Sequence, residues 1–477
     1  MRPTPPRRRV GAALGAARLL EAAGPLHAPS GAHARAAGLC VLALGVFVAG
    51  AASAQSSRPA GPRPSGAPSE KAAKGEEEKA PRWFAVHAGW AHTVTQGVLR
   101  EVTILARDGA IAAIGSDLDL PEGTEVLDAR RYHVYPGLVA FDSAGIVGTS
   151  PEDSTDVYGL NLSLALSAGI TTVGAGGTVC KLTYGTLEGH VLGRSNLVRL
   201  DLSSSASRKR VREALEGARA YLRRLRAAER AKARGEKAQA PKAPRGKGAS
   251  YLALLRGERR AFLRASTQRE LRFAAELALR YGFSAVVDGA VEGWTVAPLL
   301  GRAGFAAVLS PRARRRPDER SNRPSGWSIE NAARLHAAGV PLALLPRSRG
   351  IGTGGLAGRD LFTLALEAAF AVRGGLPEEA ALEAITLGPA RMLGVADQIG
   401  SLEVGKDCDL VVVPRDLLHY ESLPEWTVVN GRVAYDKERD TLLRAVRSRA
   451  LNGENLDLPP LWPRPPGSST QEGPAGE

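Results

Sequence analysis

The chain has 477 residues, enough for one large domain with a satellite, and its 44% hydrophobic content is ordinary for a globular protein. Three cysteines are too few for a disulfide scaffold, which excludes the small cystine-stapled classes. The net charge of +14 invites a nucleic-acid reading, but the excess gathers in residues 208–264 and 312–323 and at Arg7, Arg8 and Arg9. None of these has a zinc-finger spacing, an aromatic RNA-binding signature or a recognition helix, so nucleic acid is disfavoured. A solvated arginine-rich face is the favoured reading, with weak attraction to polyanions or an anionic surface as the sharper alternative.

Residues 36–52 (AAGLCVLALGVFVAGAA) form an uncharged apolar run, short and rich in small residues for a membrane span. Basic residues precede it and Ala52-Ser53-Ala54 follows, which predicts a signal peptide over 1–54 cleaved before Gln55. The mature chain is then expected to be extracytoplasmic, periplasmic or secreted. Cys40 lies at the start of that run, the wrong end for a lipid-attachment cysteine. Residues 55–80 are Pro, Gly, Ser, Lys and Glu with almost nothing to bury, and read as a linker; the tail over 455–477 reads similarly.

Between these ends, residues 84–127 alternate strand-like runs with turns, and Arg107-Asp108-Gly109 has the composition of a hairpin turn. Residues 405–435 are strand-rich again. From 137 to 393, short apolar runs alternate with helical stretches, for example a helix over 267–281 leading to Ser284-Ala-Val-Val-Asp288. That rhythm implies a parallel sheet, and the number of units favours a closed barrel. A basic low-complexity insertion near 227–249 breaks the rhythm and reads as a mobile surface loop.

Two segments carry a resemblance. Leu127-Asp128-Ala129 through Tyr135-Pro136-Gly137-Leu138-Val139 is similar to the hand-off from small sheet to barrel in the amidohydrolase superfamily. Thr386-Leu-Gly-Pro389-Ala390, followed by Ile399-Gly-Ser-Leu-Glu-Val-Gly405-Lys406-Asp407-Cys408-Asp409, resembles its "T-x-N-P-A … G-K-x-A-D" ending, and Asn430-Gly431-Arg432-Val433 its closing strand. The resemblance, nearest the imidazolonepropionase and dipeptidase branch, implies a (β/α)8 TIM-like barrel over 136–395. It also implies a small β-sandwich domain built from N- and C-terminal strands, 82–135 plus 396–440.

Members of that superfamily hydrolyse C–N or ester bonds with one or two divalent metals such as zinc, held by a His-x-His pair, two later histidines and a late aspartate. The metal lowers the pKa of bound water and polarises the scissile carbonyl. Placed on this sequence, those ligand positions fall at Asp142, Ala144, Arg264, Asp288 and Arg347. Of eight histidines, only His190 and His336 lie in the barrel segment, which cannot build the site. Carboxylates at Asp142, Asp288 and Glu292 would suit magnesium, manganese or calcium better than zinc. Arg264 and Arg347 would oppose any divalent cation, and are expected to pair with Asp142 and Asp288 instead.

Cys180, with Lys181 beside it and His190 as a conceivable base, is a weak nucleophile candidate; a buried structural thiol is commoner. Glu292, His190 and Cys180 together make up a possible residual pocket. Cys408 reads as packing. No metal or other cofactor is expected. The favoured reading is a non-catalytic relative that binds a small molecule or protein at the barrel mouth, as a homo-oligomer or beside an intact amidohydrolase. The rivals are an active hydrolase of C–N bonds with atypical or no metal, and an envelope-associated polyanion binder.

Overall fold

A hairpin opens the folded part of the chain: β1 (Trp83–His92) and β2 (Val98–Arg107) pair antiparallel, and β3 (Ala110–Gly115) adds to β2. The Arg107-Asp108-Gly109 turn behaves as its composition predicts, with both Asp108 and Gly109 at positive φ (51° and 91°). The computed structural model describes residues 80–320, 322–353 and 359–440, all within one unit, Glu77–Glu477. The expected leader with Cys40, all but the last linker residue and the tail over 455–477 lie outside the described residues.

The fold is α/β with mixed sheets. Next to β1, in parallel, runs β4 (Glu125–Pro136), which also pairs with β14 (Leu410–Val413); β15 (Trp426–Val429) and β16 (Arg432–Asp436) follow. N- and C-terminal strands thus share one seven-stranded sheet, in the order β16-β15-β14-β4-β1-β2-β3. One of its faces packs around Phe84, Val86, Ile104, Ile111, Val134 and Val428. Alternation along these strands produces that apolar face.

Gly137 alone separates β4 from β5 (Leu138–Ala140). A side chain there would collide with Thr171, and its N–H donates to the Asp409 carbonyl (2.8 Å). Beside β5 lies β6 (Ile170–Ala175), then an antiparallel hairpin of β7 (Thr178–Lys181) and β8 (Val191–Arg194). A third sheet holds five parallel strands: β9 (Leu197–Arg199), β10 (Arg260–Ala265), β11 (Ala285–Gly289), β12 (Phe305–Leu309) and β13 (Leu342–Leu344). Such doubly covered strands read as continuous apolar runs, and every residue of β12 is buried. The helix Gln268–Tyr281 leads into β11, started by a capping box of Thr267 and Glu270 and ended at Gly282 in the left-handed region (φ 74°).

The basic insertion differs from its expectation. The helix Ser205–Ala233 carries residues 227–233, and another, Lys247–Leu255, takes up its end; only 234–246 has no regular structure. Val211, Leu215, Ala218 and Tyr221 give the first helix a buried stripe, and the remaining basic positions face outward.

Candidate functional site

The carboxyl ends of β5, β10, β11 and β13 bring charged side chains together. Asp142 follows β5 by two residues; Ser143 N–H donates to Gly174 at the end of β6 (2.8 Å), and Ala144 N–H to the Arg349 carbonyl (2.9 Å). Arg264 and Asp288 are register partners on adjacent parallel strands, so their side chains leave the sheet on one face. Asp288 is the hub. Arg349 Nη2 donates to its Oδ1 at 2.7 Å, and Arg264 Nε stands 3.4 Å from its Oδ2. The aspartate side chain is 10% exposed and Arg349 20%, whereas Arg264 is 69% exposed. The inner pair is therefore the strong one.

Asp142 is half-buried. Burial raises its pKa; the Arg349 guanidinium pulls the other way, Asp288 adds to the rise, and Arg264 and Arg199 lower it. Asp142 and Arg199 also line a cavity of about 200 Å3 with Phe141, Phe262, Ser195 and Leu393. Phe141 and Phe262 stack at 5.8 Å, and Arg199 lies over Phe262 at 5.3 Å from the ring. Glycines 174, 176 and 177 line the same cavity. A side chain at Gly174 would collide with the Phe141 carbonyl, so glycine keeps β5 and β6 close at the rim.

Arg347 is not where it was expected. It is exposed and lines a separate, smaller cavity with Arg312 and Glu367. Pro346 is buried and the chain bends at Arg347, and the guanidinium that reaches Asp288 comes from Arg349, two residues later. Ala144 is exposed and has no donor to offer. Glu292 is buried but committed: it accepts from Gln268 N–H (2.7 Å) and Gly326 N–H (2.9 Å), with Arg315 at 3.6 Å. It caps a helix and ties down a loop. Among the described residues, no group of three or more His, Cys, Asp and Glu is arranged to hold a metal ion.

His190 and Cys180 do not join this cluster as a catalytic pair. His190 follows a turn, and its ring bonds to Thr155 Oγ1 (3.1 Å) and Thr183 Oγ1 (3.4 Å). Burial lowers its pKa. Cys180 is fully buried on β7, and burial pushes its thiol up to about 12, so it is protonated at neutral pH. Cys408 is buried as well.

One cluster was not singled out in the sequence. Lys181, 1% exposed, meets Asp407 Oδ2 at 2.6 Å, Asp409 Oδ2 at 3.0 Å, and the Asn430 side-chain carbonyl. Burial raises the Asp409 pKa against the pull of Lys181. The signal was half present in Gly405-Lys406-Asp407-Cys408-Asp409, but nothing local points to a lysine on β7.

The model of the amidohydrolase family matches residues 312–437. An amidohydrolase from Thermotoga maritima superimposes with a TM-score of 0.58 at 21% identity, over 74% of this chain and 100% of that one. Over residues 312–437 the chain matches the amidohydrolase family, and its fold is that of an amidohydrolase. Amidohydrolase tasK from Hapsidospora irregularis is 37% identical over 71 residues, 15% of this chain and 7% of that protein. The chain therefore matches only a small part of that relative's length. A zinc-bound adenosine deaminase from Xanthomonas campestris is similar at 17% identity, with a TM-score of 0.44, over 73% of this chain and 92% of that one.

Proposed function

We propose that this chain is a non-catalytic member of the amidohydrolase superfamily, which binds a small molecule at the carboxyl ends of its strands. The eight strand positions of a barrel are supplied by β5, β6, β9 to β13 and residues 384–385. Support for the last comes from Leu344 N–H donating to the Ala384 carbonyl (2.8 Å) and Val139 N–H to that of Ile385 (2.9 Å). The seven-stranded sheet is the satellite.

The observation that carries the reading is Arg349 at 2.7 Å from Asp288, with Arg264 on the other oxygen. A divalent cation needs several oxygen or imidazole donors free of competing positive charge. Here the buried carboxylate is taken by two guanidiniums, the next position is Ala144, and Asp142 alone remains. The donor set does not fit a divalent ion, and no metal-dependent step is derived. The roughly 200 Å3 cavity beside Asp142 and Arg199, walled by two phenylalanines, has the apolar body and few polar groups of a ligand site.

Elemental analysis of the purified full-length chain tests this. The expectation is less than a tenth of an equivalent of zinc, manganese or iron, unchanged in Asp288→Asn. Stoichiometric metal, with hydrolysis of amide or ester substrates that chelation abolishes, would make the chain a working hydrolase instead. Export follows from the signal-peptide reading, and the amino-terminal sequence of the mature protein tests it.

A further inference from the structure

Four arginines converge on the second, smaller cavity, of about 80 Å3, in the loops that follow β12 and β13. It is lined by Arg312, Ala313, Arg314, Arg347, Arg359 and Glu367. Glu367 is the one carboxylate there, is 1% exposed, and is already used: Arg312 donates to it from Nε (2.7 Å) and from its backbone N–H (3.1 Å). Arg312 Nη2 donates to Thr363 Oγ1 at 2.7 Å, so this arginine is held from two sides. Arg314 rests over the Trp327 ring at 5.6 Å. Arg314 and Arg347 have no carboxylate partner among the described residues, and Arg359 acts on Glu367 only through space.

Four arginines around one small space with a single carboxylate, itself held by Arg312, leave an excess of positive charge there, and like charges repel. A bound anion removes that cost. Guanidinium forks match the paired oxygens of a tetrahedral oxyanion, and the cavity is small, which suits one such group and not an extended chain. The geometry points to a binding site for the phosphate group of a small molecule, formed by Arg314, Arg347 and Arg359 on the rigid Arg312–Glu367 pair. The site shares no lining residue with the cavity at Asp142, and it stands whether or not that cavity supports catalysis.

Calorimetric titration of the full-length chain with inorganic phosphate and pyrophosphate, at ionic strength fixed with sodium chloride, reads the site directly. One saturable equivalent is expected. Arg347→Gln should weaken binding about tenfold, the loss that accompanies one charge-assisted hydrogen bond, and Arg347→Gln/Arg359→Gln should abolish it. Both side chains are exposed, so these variants keep the fold, which their melting curves check. Arg107→Gln, on the seven-stranded sheet, should bind as the parent does. Absence of saturable heat, full binding by the double variant, or equal weakening by Arg107→Gln would overturn the proposal. Citrate binding more tightly than pyrophosphate would overturn the phosphate assignment.

Discussion

Arg349 Nη2 and Asp288 Oδ1 lie 2.7 Å apart at the carboxyl ends of β13 and β11, and the backbone of Arg349 is pinned by Ala144 N–H. The pair joins two strand ends that are not neighbours in the sheet, since β12 lies between them. Arg349→Ala leaves Asp288 with only the exposed Arg264, and should cost roughly 1–3 kcal/mol in urea unfolding. Arg349→Ala/Asp288→Ala should recover part of that. A double variant no more stable than Arg349→Ala would remove Asp288 from the role of hub.

Lys181, at the end of β7, is a buried cation held by Asp407 and Asp409 before β14 and by Asn430 after β15. Lys181→Met strips the counter-charge from Asp409, which is 4% exposed, and should destabilise the chain by about 3–5 kcal/mol. Lys181→Met/Asp409→Leu should restore a substantial share, because removing both charges costs far less than stranding one. Equal midpoints for both variants would show that the cluster contributes only volume.

His92 stacks on Tyr135 at 4.0 Å and bonds to His133 at 2.9 Å; Asp416 faces the group through the Tyr135 hydroxyl. Burial, then the neighbouring His133, lowers its pKa to about 4. The folded state therefore holds fewer protons than the unfolded one between that value and about 6.5. Stability from this site is full above about pH 6.5 and is lost as the pH falls toward 4. The melting temperature should drop across that window, and His92→Gln should flatten the drop. A slope unchanged by the substitution would assign it to other groups.

Cys180 and Cys408 are both buried, and both thiols are pushed up by desolvation. Neither should react with a thiol reagent at pH 8 within minutes, while both should react fully in denaturant. Rapid native labelling of Cys180 would reopen its candidacy as a nucleophile.

The local signals in the sequence carried much of the fold. The Arg107-Asp108-Gly109 turn and the period-two runs before and after it located β1 to β4. The apolar-run and helix alternation located β11 to β13, because these strands are almost wholly buried and the helix before β11 carries its own capping box. Ion pairing was less legible. Arg347 and Arg349 are equally plausible by composition, and only the course of the chain after Pro346 decides between them. Lys181 was opaque for a different reason: its partners are Asp407, Asp409 and Asn430, far along the chain, and no spacing rule links them. The helix over residues 227–233 was hidden by composition, since its apolar stripe lies upstream, in the first half of Ser205–Ala233.

The pairing of β4 with β14 sets Leu410 opposite Pro136, so the middle of the seven-stranded sheet is completed only by residues made long after β4. Until then β4 offers an open row of amides and carbonyls on a strand whose neighbour β1 is already in place, an invitation to foreign strands. A chain halted before residue 410 cannot finish this sheet, which makes late truncations more damaging than their length suggests.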